Sequence, residues 1–338
     1  MTNHEVLLYT LWYMRNWLAI LAKKKERLDR MRSLPQAQEK NLADWLRVEL
    51  TYTSNAIEGN TLSRQETALV VEKGLTVEGK TLREHQEAIN HAAAWELTKN
   101  LAREGKKITT GAILEIHRLI LNQLDEPSAG RFRRGPVRIA GSRVVLPNAV
   151  KVPKLTDKLV NWLTTTKDQP VKVAAEAHYR LVTIHPFVDG NGRTARLVMN
   201  LVLLKAGYPA AIIRKEERLK YLNSLEKAQL GGSGDDYYQL IYAAVNRSLD
   251  LYLEVAGAKA RKTSTKKQRL KIGQLASSSG ESISTIRFWT KAGLLPVAGR
   301  TRGGYQLYSR DAIKRIKLIR KLQQEKRLTI KEIKKEIS

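Results

Sequence analysis

His185-Pro-Phe-Val-Asp-Gly-Asn-Gly-Arg-Thr-Ala-Arg196 places one imidazole, one carboxylate, two glycines, one amide and two guanidinium groups within twelve residues. Leu197-Val-Met-Asn-Leu-Val-Leu-Leu204 follows, an apolar run without Pro or Gly that reads as a buried helix. The motif therefore forms the loop that enters a helix, where unpaired N–H groups and the positive end of the helix dipole make a cradle for an anion. Gly190 and Gly192 flank Asn191 and are expected to adopt positive φ, so that successive backbone N–H groups converge on a phosphate. Arg193 and Arg196 stand three apart, on one face of the incoming helix, and can hold further phosphate oxygens by forked bonds. Asp189 offers a hard oxygen suited to Mg²⁺, which bridges carboxylates to substrate phosphates. His185 is the one group of the set that exchanges a proton near neutral pH. Together these groups suit attack by a hydroxyl on a nucleotide phosphate.

Outward from this stretch the chain reads as mainly α. Residues 6–32 read as helix up to a break at Pro35. A second helix follows, with Leu42, Trp45, Leu46, Leu50 and Ile57 on one face, and it closes on Ser54-Asn-Ala-Ile-Glu58-Gly59 with Gly59 as left-handed terminator. Ser63 to Glu66 and Thr81 to Glu84 have capping-box spacing and start two more helices. Thr109 or Thr110 caps a helix with Ile113, Leu114, Ile116, Leu119, Ile120 and Leu124 on its apolar face, beside which His117 reads as a packed residue. Alternation through Val137, Ile139, Val144 and Leu146 about Gly141 predicts a β-hairpin. Helices are expected over Lys154–Thr166 and Val171–Ile184, then over Lys215–Leu230 and Tyr237–Val255; His178, with no third ligand at metal spacing, reads as structural.

Charge is distributed unevenly. The 338 residues carry 60 Lys and Arg against 33 Asp and Glu, and from Lys259 onward the count is 22 against 5, so the tail holds +17 of the net +27. That balance points to a polyanionic partner for the tail. There is no cysteine, which removes disulfides, thiolate chemistry and cysteine metal sites and fits a cytoplasmic protein. The apolar run from Val6 to Ala22 contains Arg15 and is followed by three lysines, the wrong charge order for a signal peptide, and is short for a membrane span. It reads as an amphipathic packing helix, with no membrane partner.

The segment 185–196 resembles the signature of the Fic family, HxFx(D/E)GNGRxxR, at all eight positions that carry chemistry. The resemblance implies a helical Fic core with a β-hairpin flap and an enzyme that transfers AMP from ATP to a Ser, Thr or Tyr hydroxyl of a protein, a protein adenylyltransferase. Doc-type relatives, which phosphorylate, carry Lys where this chain has Gly192, so their reaction is disfavoured. By the same resemblance His185 is the general base, Asp189 the Mg²⁺ ligand, and Gly190, Asn191, Gly192, Arg193 and Arg196 the ATP-binding set; Tyr221 and Gln229 stand near the positions that line the nucleobase pocket, and Phe187 anchors the loop. The hairpin is the flap, on which Val137, Arg138, Ile139 and Val144 would dock the target as an added strand. Ser54 to Gly59 resembles the family's inhibitory motif, (S/T)xxxE(G/N), which implies that Glu58 reaches Arg196 and misplaces the ATP phosphates. Some family members use this glutamate to position a hydrolytic water, so removal of AMP is an open second activity.

Leu270-Lys-Ile-Gly-Gln-Leu-Ala, Ser282-Ile-Ser-Thr-Ile-Arg-Phe-Trp and Gly293-Leu-Leu-Pro read as helix, turn and helix, followed by a wing over Arg300–Tyr308 and helices over Arg310–Leu322 and Thr329–Ile337. This pattern resembles the MerR family DNA-binding domain, which implies Arg287 in a major groove and Arg300, Arg302 and Tyr305 on phosphates. Trp289 and Thr290 depart from the usual Tyr and Glu, and the long dimerisation helix is missing, so operator binding would require a homodimer formed through the N-terminal part. The expected organisation is an N-terminal helical region over 1–105 with the inhibitory helix at about 42–59, a Fic core over 106–257, a basic linker over 258–269 and a winged helix-turn-helix domain over 270–338. An alternative from a different class is a transcriptional regulator in which the Fic core senses nucleotide and the tail binds DNA.

Overall fold

A computed structural model describes residues 3–31, 36–267, 270–301, 304–309, 311–325 and 328–336. Contacts divide the chain into two compact units, Met1–Glu254 and Val255–Ser338.

The first unit is helical. It comprises α1 (Asn3–Asp29), α2 (Gln36–Ile57), α3 (Arg64–Lys73), α4 (Leu82–Arg103), α5 (Thr110–Leu121), α6 (Val152–Thr165), α7 (Pro170–Ile184), α8 (Asn191–Lys205), α9 (Arg218–Gln229) and most of α10 (Asp235–Lys267). Local signals set the starts of several. Ser63 and Thr81 each accept from the N–H of the glutamate three residues on, while Glu66 and Glu84 accept from the capping residue's N–H, so both predicted capping boxes are present. Thr109 rather than Thr110 caps α5. The α10 helix continues to Lys267, past the expected end at Val255; no Pro interrupts the Ala, Lys and Arg residues there, which are good helix formers. Among the described residues no helix is long and apolar enough to cross a membrane.

The core joins Ile113, Ile116 and Ile120 of α5 to Ala174, Ala177 and Leu181 of α7 and Leu197, Val198 and Leu201 of α8, all essentially buried. The apolar run after the motif is therefore buried on all sides, as its lack of polar periodicity requires. The 137–146 segment reverses direction at a turn in which Ser142 N donates to Ile139 O (3.1 Å). Its two arms form no strand ladder, although half-buried Val137, Ile139, Val144 and Leu146 alternate with exposed neighbours. An open edge of this kind leaves backbone groups unpaired.

In the second unit β1 (Leu270–Lys271), β2 (Gly299–Arg300) and β3 (Gln306–Tyr308) form an antiparallel sheet in the order β1-β3-β2, with Leu270 opposite Tyr308 and Gly299 opposite Leu307. The sheet packs with α11 (Ile272–Ser279), α12 (Ile283–Lys291), α13 (Asp311–Glu325) and α14 (Ile330–Glu336) around Leu275, Ile286, Trp289, Leu294, Tyr308 and Ile316. Trp289 is buried in this core and Thr290 Oγ1 lies 3.0 Å from the Tyr308 hydroxyl, so both departures from the family pattern have inward partners.

Three histidines of the first unit, His91, His117 and His178, are almost completely buried. Desolvation pushes His91 down to about 3, with the charges of Arg196 and Arg193 adding to the effect, His117 to about 4 and His178 to about 3. Because their folded pKa values lie below the ordinary ~6.5 of an unfolded histidine, the stability they permit is complete above that value and is lost as pH falls below it. At about pH 5.5 each should cost about 1.4 kcal/mol, roughly 4 kcal/mol together. Urea denaturation at neutral pH and at about pH 5.5 checks this; equal midpoints would contradict it.

Candidate active site

The motif loop is built from below. Phe187 is fully buried, and its ring stacks on His117 with centroids 3.6 Å apart. Gly130 N donates to His117 Nδ1 (3.1 Å), so the Nε2 proton points at Asp189 O (3.0 Å) and fixes the middle of the loop. Asn191 Nδ2 donates to Phe187 O (3.0 Å) while Asn191 Oδ1 accepts from Phe187 N (2.9 Å). The buried Asn191 amide thus closes the loop on Phe187, while the Asn191 backbone N–H, at the start of α8, has no intrahelical acceptor.

The two glycines also differ from each other. Gly190 does take positive φ (74°), and a Cβ there would meet Ile120 Cγ2 at 3.0 Å. Gly192 does not; it is an ordinary helical residue, and its importance is steric. A Cβ on Gly192 would lie 2.3 Å from Glu58 Oε1 and 3.0 Å from Arg196 Nη1. A carboxylate oxygen thus rests against the first turn of α8, where Asn191, Gly192 and Arg193 have N–H groups without intrahelical acceptors.

Glu58 reaches this point from the end of α2. Arg196 Nη2 donates to Glu58 Oε1 (2.7 Å) and to Ser54 O (2.9 Å), and Arg196 Nε donates to Ser54 Oγ (3.0 Å). The Arg196 side chain is 6% exposed and that of Glu58 40%, so the cation is buried while the carboxylate borders solvent. Burial works against the Arg196 charge, yet Glu58 and the Tyr221 hydroxyl together outweigh it, and the guanidinium pKa lies above the ordinary value. The helix end itself is fastened: Arg218 Nε donates to Ile57 O (2.6 Å), and Asn55 and Asn60 donate to carbonyls of α4, those of Glu87 and Glu84. Gly59 has φ 104°, as expected of a terminator.

His185 caps α7 in the left-handed region (φ 49°, ψ 62°), which a residue with a Cβ rarely occupies. Its Nδ1 lies 3.3 Å from Val182 O, so that nitrogen carries the proton and Nε2 is the free base. Burial pushes the imidazole below its ordinary pKa; Val182 O and the carboxylates of Glu58 and Asp189 pull it back, and Arg133 adds to the depression. His185, Glu58, Gly192, Arg196, Tyr221 and Gln229 line one cavity of about 260 Å³ together with Ile139, Ala140, Gly141 and Ser142 of the flap turn. Val137, Arg138 and Val144 lie on the arms of the flap, outside that lining. Tyr221 is 1% exposed and forms the cavity floor; its hydroxyl meets His178 Nε2 at 2.8 Å, and burial raises its pKa to about 12. Gln229 Nε2 donates to Thr183 Oγ1 (3.1 Å).

Asp189 is engaged. Its Oδ1 accepts from Gly190 N (2.6 Å), and Arg193 Nη2 lies 3.3 and 3.4 Å from the two oxygens. Arg83 of α4 donates to Oδ2 (3.3 Å). Among the described residues no three His, Cys, Asp or Glu cluster at metal spacing. One half-exposed carboxylate beside an anion cradle fits a Mg²⁺ that keeps waters and is completed by substrate phosphates.

Sequence reasoning missed four contributors: Arg83, Arg133, Glu226 and the supporting role of His117. Glu226 Oε1 accepts from Ser142 Oγ (3.0 Å) and Arg143 N (2.9 Å), which holds the flap turn to α9. None of the four sits in a motif, and only their long-range partners set them apart. In the second unit Lys271, Arg287, Arg300 and Tyr305 line one basic cleft; Arg302 lies outside the described residues.

A buried helix here opens on a histidine-led cradle of free backbone N–H groups, beside a turn from the adjoining flap. Residues 107–203 match the Fic/DOC family, and residues 270–338 match the MerR HTH family regulatory protein family. The chain is 39% identical over 243 residues to the protein adenylyltransferase Fic of Aedes aegypti, covering 68% of this chain and 48% of that one. It is 40% identical over 207 residues to that of Drosophila virilis, covering 60% and 42%. The chain thus spans about half the length of these curated relatives. Among solved structures, Fic-1 from C. elegans superposes with TM-score 0.65 at 31% identity, covering 78% of this chain and 79% of that one. A Fic domain containing signaling protein from Bacteroides thetaiotaomicron gives 0.64 at 30%, covering 72% and 97%. The chain belongs to the Fic family.

Removing the Glu58 carboxylate should open the cradle to phosphate. Mg-ATP at about 100 times its Kd should then stabilise Glu58→Gly by about 2.7 kcal/mol and the wild type by less. Thermal melts with and without Mg-ATP check this; equal shifts would place the nucleotide elsewhere.

Proposed function

We propose that the protein is an adenylyltransferase that moves AMP from ATP to a Ser, Thr or Tyr hydroxyl of another protein and is restrained by its own α2. The observation that carries this reading is the Glu58 carboxylate resting on Arg196 over Gly192, in the cavity that His185 lines. A carboxylate is a fair stand-in for a phosphate oxygen in charge and in hydrogen-bond acceptance. The names of the relatives from Aedes aegypti and Drosophila virilis agree with it.

In the proposed reaction the flap presents the target hydroxyl to His185. Nε2 takes the hydroxyl proton as the oxygen bonds to the α-phosphorus; the bond to the β-phosphate bridging oxygen breaks, and pyrophosphate leaves with that electron pair. The N–H groups at the start of α8 and the Arg196 guanidinium receive charge on the phosphate oxygens, a stabilisation set in place before reaction. Arg193, which pairs with Asp189 in this state, stands beside them and would add to that stabilisation once released from the carboxylate. Asp189 would hold a Mg²⁺, which when bound would supply neutralisation of the phosphate charge. With Glu58 on Arg196 the phosphates are displaced, and a misplacement of ~1 Å costs about 100-fold in rate. Glu58 Oε1 holds Arg196, so its other oxygen is free to orient a water, the arrangement a second, AMP-removing activity would use.

The proposed partition is an N-terminal helical region over 1–105, the Fic core over 106–257, a connecting stretch over 258–269 and a DNA-binding domain over 270–338. The basic cleft beneath the wing favours DNA as a partner of the last. A nucleotide-sensing regulator is the second reading, and the same cleft supports it.

In a transfer assay with α-labelled ATP, Glu58→Gly should gain about 100-fold or more over wild type, and His185→Ala in that background should lose the gain. Undiminished transfer by His185→Ala would remove the general-base role. For DNA, Arg287→Ala in the full chain should weaken a specific site by about 1–3 kcal/mol in a gel shift. Equal weakening on every sequence would reduce the contact to charge alone.

A further inference from the structure

Arg133 is 3% exposed, yet among the described residues no carboxylate pairs with it. A buried cation without a counter-ion is normally unfavourable, and burial holds this guanidinium below its ordinary pKa. Carbonyl oxygens take the place of the anion. Arg133 Nε donates to His185 O (2.8 Å), Nη1 to Gly135 O (3.0 Å) and Nη2 to Pro147 O (2.5 Å). Its own backbone N donates to Pro186 O (2.9 Å). Gly135 and Pro147 bracket the flap, and His185 and Pro186 open the motif loop. One rigid fork therefore ties both ends of the flap to the backbone of the histidine.

That tie falls on a strained residue. The left-handed conformation of His185 persists only where its surroundings over-determine it, and Arg133 fastens the peptide groups on its C-terminal side. The flap needs a tie as well, because its arms lack a ladder and, among the described residues, its turn is fastened to α9 through Glu226.

We propose that Arg133 is a positioning residue for the transfer reaction, one that makes the flap and the general base a single unit by holding His185 O, Gly135 O and Pro147 O on one guanidinium. The inference rests on the reading of the flap and His185 given above. It predicts that a bound target hydroxyl and the imidazole are registered through Arg133 and not through the substrate alone. The charge has a second effect. The charged groups facing His185 are Arg133 from the segment before the flap, Glu58 from the end of α2 and Asp189 from the motif loop; Arg196 of α8 lines the same cavity. Arg133 is the one named cation that lowers the imidazole pKa.

Two variants in the Glu58→Gly background separate geometry from charge. Arg133→Lys keeps the charge but replaces a planar fork with a point donor that cannot span three fixed carbonyls; Arg133→Gln loses the charge too. For both, target transfer should fall in kcat by about 10–100-fold with the KM for ATP unchanged, and amide exchange over 137–146 should quicken. Imidazole NMR titration should show the His185 pKa unmoved in Arg133→Lys and raised in Arg133→Gln, so that the acid limb of activity moves up with it. If Arg133→Gln does not fold, the Lys variant carries the geometric test alone. Unchanged kcat and unchanged flap exchange in a folded variant would overturn the proposal, as would a loss confined to the KM for ATP. Absence of transfer in the parent Glu58→Gly protein would instead count against the proposed function, while exchange and NMR still report on the coupling.

Discussion

The contact between Arg196 and Glu58 organises the site. Arg196 needs an anion because its guanidinium is buried within α8, and an unpaired buried charge is strongly unfavourable. In this state the anion is Glu58, and under the proposed function it is a phosphate oxygen. The same need makes the two mutually exclusive. Restraint then requires no dedicated machinery beyond a helix, α2, whose end is fastened closely enough to keep the carboxylate there, and Arg218, Ser54, Asn55 and Asn60 supply that fastening.

Around the contact, most polar groups of the motif loop serve shape before chemistry. Asn191 closes the loop on Phe187, His117 carries the Asp189 carbonyl, Gly190 makes the turn that brings the chain against α5, and Gly192 clears the space over the first turn of α8. His185 and Arg196 line the cavity. Placing strain at His185 and relieving it through backbone contacts is consistent with a base that must point one nitrogen at a hydroxyl.

The resemblance of residues 185–196 to the family signature was enough to fix the helical core, because that signature is long and both its shape-forming and its polar positions match. Capping boxes at Ser63 and Thr81 were legible for a local reason: donor and acceptor are three residues apart, and no distant contact is needed to form them. The loop closure by Asn191 was not legible, because an amide beside glycines suits many partners, and only the folded position of Phe187 brings this one within reach. The extension of α10 was hidden by composition, since Lys, Arg, Ser and Thr in a row read equally well as a linker and as an exposed helix.

By itself the sequence determined what short-range chemistry determines: the helices, the anion cradle at the start of α8, the basic tail and the acidic residue at the end of α2. The tertiary structure decided which of these groups meet. That Glu58 lies over Gly192, 134 positions later in the chain, that Glu226 holds the flap turn, and that Arg133 gathers three carbonyls are facts of packing. No spacing rule reaches across such separations, because the residues come together only when buried apolar faces of distant helices find one another.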